Sequence, residues 1–155
     1  MTGRIEARLK DLGITLPKAA APVANYVPYV VSGNLVFISG QVTVGPNGLE
    51  YVGHVGKEFT LEQGQAAARL CAMNLVAQLR EACSGNLDRV KRCVKLTGFV
   101  NAIPGFAQHP EVVNGASDFM VQVFGDAGKH ARAAVGAGSL PRNVAVEVDA
   151  IFEID

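Results

Sequence analysis

The hydrophobic pattern is clearest at the C-terminal end of the chain, where it alternates from His130 to Ile154. Ala131, Ala133, Val135 and Ala137 fall on one side of an extended chain, and His130, Arg132, Ala134 and Gly136 on the other. After a turn at Gly138-Ser139-Leu140-Pro141-Arg142-Asn143 the alternation resumes. Val144, Val146, Val148, Ala150, Phe152 and Ile154 form an apolar face, and Ala145, Glu147, Asp149, Ile151 and Glu153 the opposite one. Period-two patterning on both sides of a Gly/Pro/Asn turn predicts two antiparallel strands with one face buried. That pairing projects Arg132 and Glu147 from the same, non-core face. A guanidinium and a carboxylate placed so form either a binding site or a cross-strand ion pair.

Upstream, Ile5, Leu9 and Leu12 at helical spacing predict a short N-terminal helix over about residues 4–12, stopped by Gly13. A Pro/Ala-rich connector follows from Leu16 to Pro22. Tyr26 to Val31 and Leu35 to Val42 are β-rich runs flanking Ser32-Gly33-Asn34, a hairpin signal. The turn Gly45-Pro46-Asn47-Gly48 leads into Glu50 to Val55, expected as a short or edge strand. Thr60-Leu61-Glu62-Gln63 has the capping-box form and opens a long helix to about Cys83, with Ala68, Ala72, Leu75, Val76 and Leu79 on one stripe. Val90 to Asn101 is strand-like. His109-Pro110 opens a second long helix, which Gly125 closes. The order is ββ(β)αβαββ, an α+β arrangement with both helices on one sheet face. The other face must be solvated or covered by another subunit. No repeat or low-complexity linker divides the chain, so residues 1–155 read as a single domain.

Composition narrows the function. With 49% hydrophobic and 18% charged residues over 155 positions the chain is a packed, soluble protein, and the apolar excess suggests surface buried between subunits. Net charge is zero, so there is no basic field for a phosphate backbone and nucleic acid is not an expected partner. Cys71, Cys83 and Cys93 are an odd number without metal spacing, as expected of core residues in a reducing compartment. With no leader-like N-terminus and no apolar run of ~18 residues, the expected location is the cytoplasm, away from membranes. His54, His109 and His130 are scattered and suggest no metal site.

Two blocks of residues resemble the RidA family, also called YjgF or L-PSP. Tyr26 to Asn34 followed by Leu35-Val36-Phe37-Ile38-Ser39-Gly40-Gln41 is similar to that family's N-terminal Tyr, Gly-Asn turn and Ser-Gly-Gln strand. Arg132, Leu140-Pro141 and Val146-Glu147-Val148 are similar to its C-terminal signature, and Asn114 falls where its second helix carries an Asn. The resemblance implies a chorismate-mutase-like fold and a homotrimer with clefts between subunits. It also implies cofactor-free, metal-free hydrolysis of small carboxylate-bearing imines or enamines, such as 2-aminoacrylate, to 2-oxo acids and ammonia. Departures from the family pattern are Ala134, where active members carry Cys, Thr or Ser, and His130, where a small residue or Pro is usual.

On this reading Arg132 and Glu147 are the catalytic pair. Arg132 grips the substrate carboxylate with its planar fork, and Glu147 orients a water and takes its proton. Burial would raise the Glu147 carboxyl and a neighbouring Arg132 would lower it, a balance the sequence leaves open. Tyr26 is either a cleft-closing ligand contact or an interface aromatic. Ser39 and Gly40 line the cleft, with the Ser39 hydroxyl alternatively satisfied in its own strand. Asn114 contacts ligand, pins a loop or caps its helix, and His130 is an added cleft residue. Three activities are open: an imine/enamine deaminase, a non-catalytic trimeric binder of small carboxylates such as 2-oxo acids, and, disfavoured by charge, an endoribonuclease or translation inhibitor.

Overall fold

The computed structural model describes residues 2–21 and 24–155. Helix α1 (Arg4–Asp11) buries Ile5 and Leu9. Its N-cap is Gly3, which has no side chain to offer. The Asp88 carboxylate, far along the chain, accepts from the Arg4 and Ile5 amides at 2.9 Å each and serves as the cap. Gly13, at φ +69°, ends the turn in the left-handed region.

Strands β1 (Tyr29–Ser32) and β2 (Leu35–Gln41) form the expected hairpin around Gly33 and Asn34, β1 starting at Tyr29 rather than Tyr26. A small ladder, β3 (Val44–Gly45) with β4 (Gly48–Leu49), closes on the Pro46-Asn47 turn. The expected strand from Glu50 to Val55 does not form. Tyr51 at φ +51° and Gly53 at φ +144° break the extended run, leaving isolated bridges from Val52 to Val144 and from Val55 to Ala102.

Helix α2 (Leu61–Ala82) starts with a complete capping box. Thr60 Oγ1 accepts from the Gln63 amide and Gln63 Oε1 from the Thr60 amide. Strand β5 (Val90–Asn101), helix α3 (His109–Phe124), strand β6 (Ala131–Ala137) and strand β7 (Val146–Ile154) follow. Both long helices lie on one sheet face, α2 on β2 and β7, and α3 on β5 and β6. Leu75, Leu79, Leu96, Phe119, Met120 and Phe152 fill the layer between them. Gly98 allows α3 to approach the sheet, since a Cβ there would stand 2.5 Å from Val113 Cγ2.

The sheet order is β1-β2-β7-β5-β6. The last two strands are therefore not partners: β5 lies between them, antiparallel to β7 and parallel to β6. The helical crossover through α3 returns the chain in the direction of β5, which forces a parallel pair. The connector of residues 138–145 is long enough to step back over one strand spacing to β7. Alternation alone gives two faces per strand; it does not say which strands are neighbours, and the register follows from neighbours.

That register sorts the side chains. Arg132 stands level with Leu96 and Ala150 on the helix-covered face, at its outer edge. Glu147 stands level with Phe99 and Val135 on the open face. The open face is partly apolar, with Val30, Phe37 and Val135 all more than two-fifths exposed. Among the described residues no helix is long and apolar enough to cross a membrane.

Candidate functional site

The predicted residues gather in two places on the chain. Tyr26, Gly40 and Glu147 line one cleft of about 400 Å³, together with Gln41, Pro141 and Arg142. Glu147 reaches over Gly40 so closely that a Cβ there would lie 2.6 Å from its Oε1. A larger residue there would push the carboxylate aside. Half-burial raises the Glu147 carboxyl above its ordinary value, and the charge of Asp149, two residues along the same face, pushes the same way. Arg132 exerts no opposing pull, because it points to the other side of the sheet. The balance left open by the sequence therefore falls on the side of burial.

Ser39 is next to this cleft, with its hydroxyl donating to the Val27 carbonyl at 2.8 Å. It fastens the segment that carries Tyr26, which is half exposed at the cleft mouth. The N-terminal connector supplies a further wall. Ala20 and Ala21 line the cleft, and the buried Gln78 side chain of α2 donates to the Ala20 carbonyl at 2.8 Å. Asn74, one turn earlier, donates to the carbonyls of Val42 and Val44 and fixes the opposite wall.

The second group sits where β6 meets α3. Arg132 Nη1 donates to Asn114 Oδ1 at 2.8 Å and to Ser117 Oγ at 3.1 Å. Ser117 Oγ lies 2.8 Å from His130 Nε2, and His130 Nδ1 lies 2.6 Å from the Gly128 carbonyl oxygen. Among the described residues Arg132 forms no ion pair. The expected same-face pair of Arg132 and Glu147 is thus divided between the two faces. Arg132, Asn114 and His130 are brought together, as are Tyr26, Ser39, Gly40 and Glu147, but one chain does not join the two groups.

The sequence reading missed Ser117, Arg142 and Gln41. Ser117 could have been found, because it follows Asn114 by three residues and so shares its side of the helix. Arg142 carried no such signal. It enters the cleft lining from a turn where it and Asn143 take φ of +56° and +59°. The buried Asn101 side chain holds that turn, donating to Asn143 Oδ1 and the Val144 carbonyl.

The cysteines take no part. Burial raises the Cys71 and Cys83 thiols and pushes Cys93 up to about 12. All three are protonated and inert at neutral pH. Among the described residues no group of three or more His, Cys, Asp or Glu side chains is arranged to hold a metal ion.

Comparison with known proteins bears on the family and the fold. The family model described as "YjgF/chorismate_mutase-like, putative endoribonuclease" matches residues 6–154. Protein TCP17 of Trypanosoma cruzi is 50% identical over 155 residues, covering 99% of this chain and 96% of its own. A RutC family protein of Pyrococcus abyssi is 31% identical, covering 86% and 90%. Among solved structures, a protein of unknown function from Agrobacterium tumefaciens superposes with a TM-score of 0.91 at 48% identity, covering 97% of this chain and 92% of its own. The Escherichia coli YjgF gene product gives 0.61 at 27% identity, covering 88% and 93%. The fold, the sequence blocks around Ser39-Gly40 and Glu147, and these matches together identify the chain as a member of the YjgF/RidA family, with that family's chorismate-mutase-like α+β fold.

Proposed function

We propose that the protein is a cofactor-free hydrolase of small imines or enamines bearing a carboxylate, of the 2-aminoacrylate type, working as a homotrimer with its active sites between subunits. The observation that carries this reading is that one chain holds two complementary half-sites. At the edge of β6, Arg132 has Nη1 engaged by α3, while its Nε and Nη2 have no partner among the described residues. In the other half-site, Glu147 sits above Gly40 in a cleft with a raised carboxyl. A second copy, set with its β6 edge against the cleft, completes the site. The partly apolar open face, with Val30, Phe37 and Val135 exposed, suits burial between copies.

The chemistry follows from these groups. The Arg132 Nε–Nη2 edge grips the substrate carboxylate through two parallel charge-assisted hydrogen bonds. A water held by Glu147 attacks the imine carbon, and Glu147 takes the proton released as the new C–O bond forms. An enamine first tautomerises to the imine. Glu147 returns the first proton to nitrogen, giving C(OH)NH2. It then takes the proton of the new hydroxyl and passes it to nitrogen, so that the C–N bond breaks with ammonia leaving as the C=O bond forms. The products are a 2-oxo acid and ammonia. A carboxyl raised by burial is a stronger base for this step than an exposed one.

The test is ammonia and 2-oxo acid release from enzymatically generated 2-aminoacrylate. Arg132→Ala and Glu147→Gln should each lose activity by about a hundredfold or more, as removal of a general base or an anchoring fork does. Co-refolded mixtures of the two variants should regain a fraction of it, because some clefts then receive both wild-type residues. Full activity in Arg132→Ala sinks the assignment.

Ala134 favours a second reading, a trimer that binds 2-oxo acids without turnover. It requires calorimetric binding of pyruvate and no ammonia release. RNA cleavage, suggested by the family model's description, would have to disappear in Glu147→Gln to be credited to this cleft.

A further inference from the structure

We propose that Ser117 and His130 are positioning residues for Arg132, and that they do not themselves touch substrate. This rests on the reading of Arg132 as the carboxylate anchor. With a neutral His130 ring, the hydrogen bonds at the β6–α3 junction run in one direction. The Gly128 carbonyl can only accept, so His130 Nδ1, 2.6 Å away, carries a proton. In the neutral ring Nε2 is then the acceptor, and Ser117, 2.8 Å away, donates its hydroxyl hydrogen to it. With that hydrogen directed at the ring, the Ser117 oxygen presents lone pairs to Arg132 Nη1, which donates at 3.1 Å. The second Nη1 hydrogen goes to Asn114 Oδ1. The chain runs one way, from guanidinium through hydroxyl and imidazole to backbone carbonyl.

Its far end is fixed by packing. Gly128 is buried against α3, and a Cβ at that position would collide with the Met120 carbonyl. The carbonyl that orients His130 therefore belongs to a turn that cannot drift from the helix carrying Asn114 and Ser117. An arginine has four side-chain torsions to freeze before its fork can meet a carboxylate with two parallel bonds. Holding Nη1 at two points on a rigid helix freezes them beforehand, and the Nε–Nη2 edge is what remains for a ligand. This explains why a histidine stands at position 130. It completes a support for Arg132, and Ser117 is the link.

Calorimetry with pyruvate as the probe, 2-aminoacrylate kinetics and NMR test this on the intact protein. Ser117→Ala and His130→Ala should each weaken pyruvate binding by about tenfold, the loss expected for a hydrogen bond to a charged group. They should raise KM with little change in kcat, because the reacting atoms are untouched. Ser117→Thr, which keeps the hydroxyl, should restore wild-type affinity. In the wild-type protein, long-range nitrogen–proton correlation of the His130 ring should show the neutral form protonated at Nδ1, a readout that needs no variant to fold. The proposal is overturned if that ring is protonated at Nε2 alone. It is also overturned if both alanine variants bind pyruvate within twofold of wild type while Arg132→Ala does not; the anchor then survives without its support. Unchanged pyruvate binding by Arg132→Ala removes the anchor itself, and the inference with it.

Discussion

At the scale of single residues, Glu147 shows how burial raises a carboxyl and makes its carboxylate a stronger proton acceptor. Its carboxyl is raised chiefly by desolvation and secondarily by Asp149, so the folded protein holds that proton more tightly than the unfolded chain. The associated stability is fully present below the ordinary carboxyl value of 4.5 and is lost as pH rises through the higher folded value. Glu147→Gln should therefore match or exceed wild-type melting temperature at pH 7, with the gap closing below about pH 4.5, while activity falls. Thermal scans over pH 4 to 8 check this; a variant less stable at neutral pH would mean the carboxylate helps to hold the fold. The grouping of the candidate residues was legible in part: Gly40 and Glu147 line one cleft, and Arg132 and Asn114 meet where β6 joins α3. The environment was not. The direction of the Glu147 shift depends on which face Arg132 occupies, and no spacing in the sequence encodes that.

At the scale of elements, the capping box at Thr60 and the close of α3 at Gly125 were readable because their signals are local. The cap of α1 was not, because Gly3 has nothing to offer and the acceptor is Asp88, over eighty residues away. Hydrogen bonds from the Ile5 and Arg4 amides hold the Asp88 carboxyl below its ordinary value of 3.8. Its contribution is present above that value and lost as pH falls through the lower folded one. Asp88→Ala should cost about 1 kcal/mol at neutral pH, a typical cap loss tempered by solvent exposure. That difference should fade in acid, with faster amide exchange confined to α1. Unchanged exchange there would show that Ile5 and Leu9 hold the helix without the cap. The segment 50–55 failed as a strand for the opposite reason: two left-handed residues interrupt a pattern that composition alone presents as continuous.

At the scale of the whole molecule, the α+β class, the element order and the two-helix layer follow from periodicities of 3.6 and 2. The placement of β5 between β6 and β7 does not, because both pairings satisfy the same alternation. That placement separates Arg132 from Glu147 and makes a second copy necessary for the chemistry proposed. Phe37, two-fifths exposed amid the open face, tests the assembly. Phe37→Asp should shift the native mass measured by light scattering from three chains to one and abolish ammonia release, with the helical circular dichroism unchanged. An active monomer would end the shared-cleft account.

The strand that carries Arg132 lies at the rim of the sheet, bonded on one side only and built of alanines, one valine and a glycine. Such a strand has few side-chain contacts to hold it, so it should be among the first parts of the sheet to breathe. A ligand gripping the guanidinium, as proposed, would do more than occupy a cleft: it would clamp a loose hem. Part of its binding energy would go into that clamping, so a rim already firm would bind more tightly. Deuterium uptake along residues 131–137 should slow on pyruvate addition more than anywhere else in the sheet, and equal slowing throughout would show that the rim was already firm.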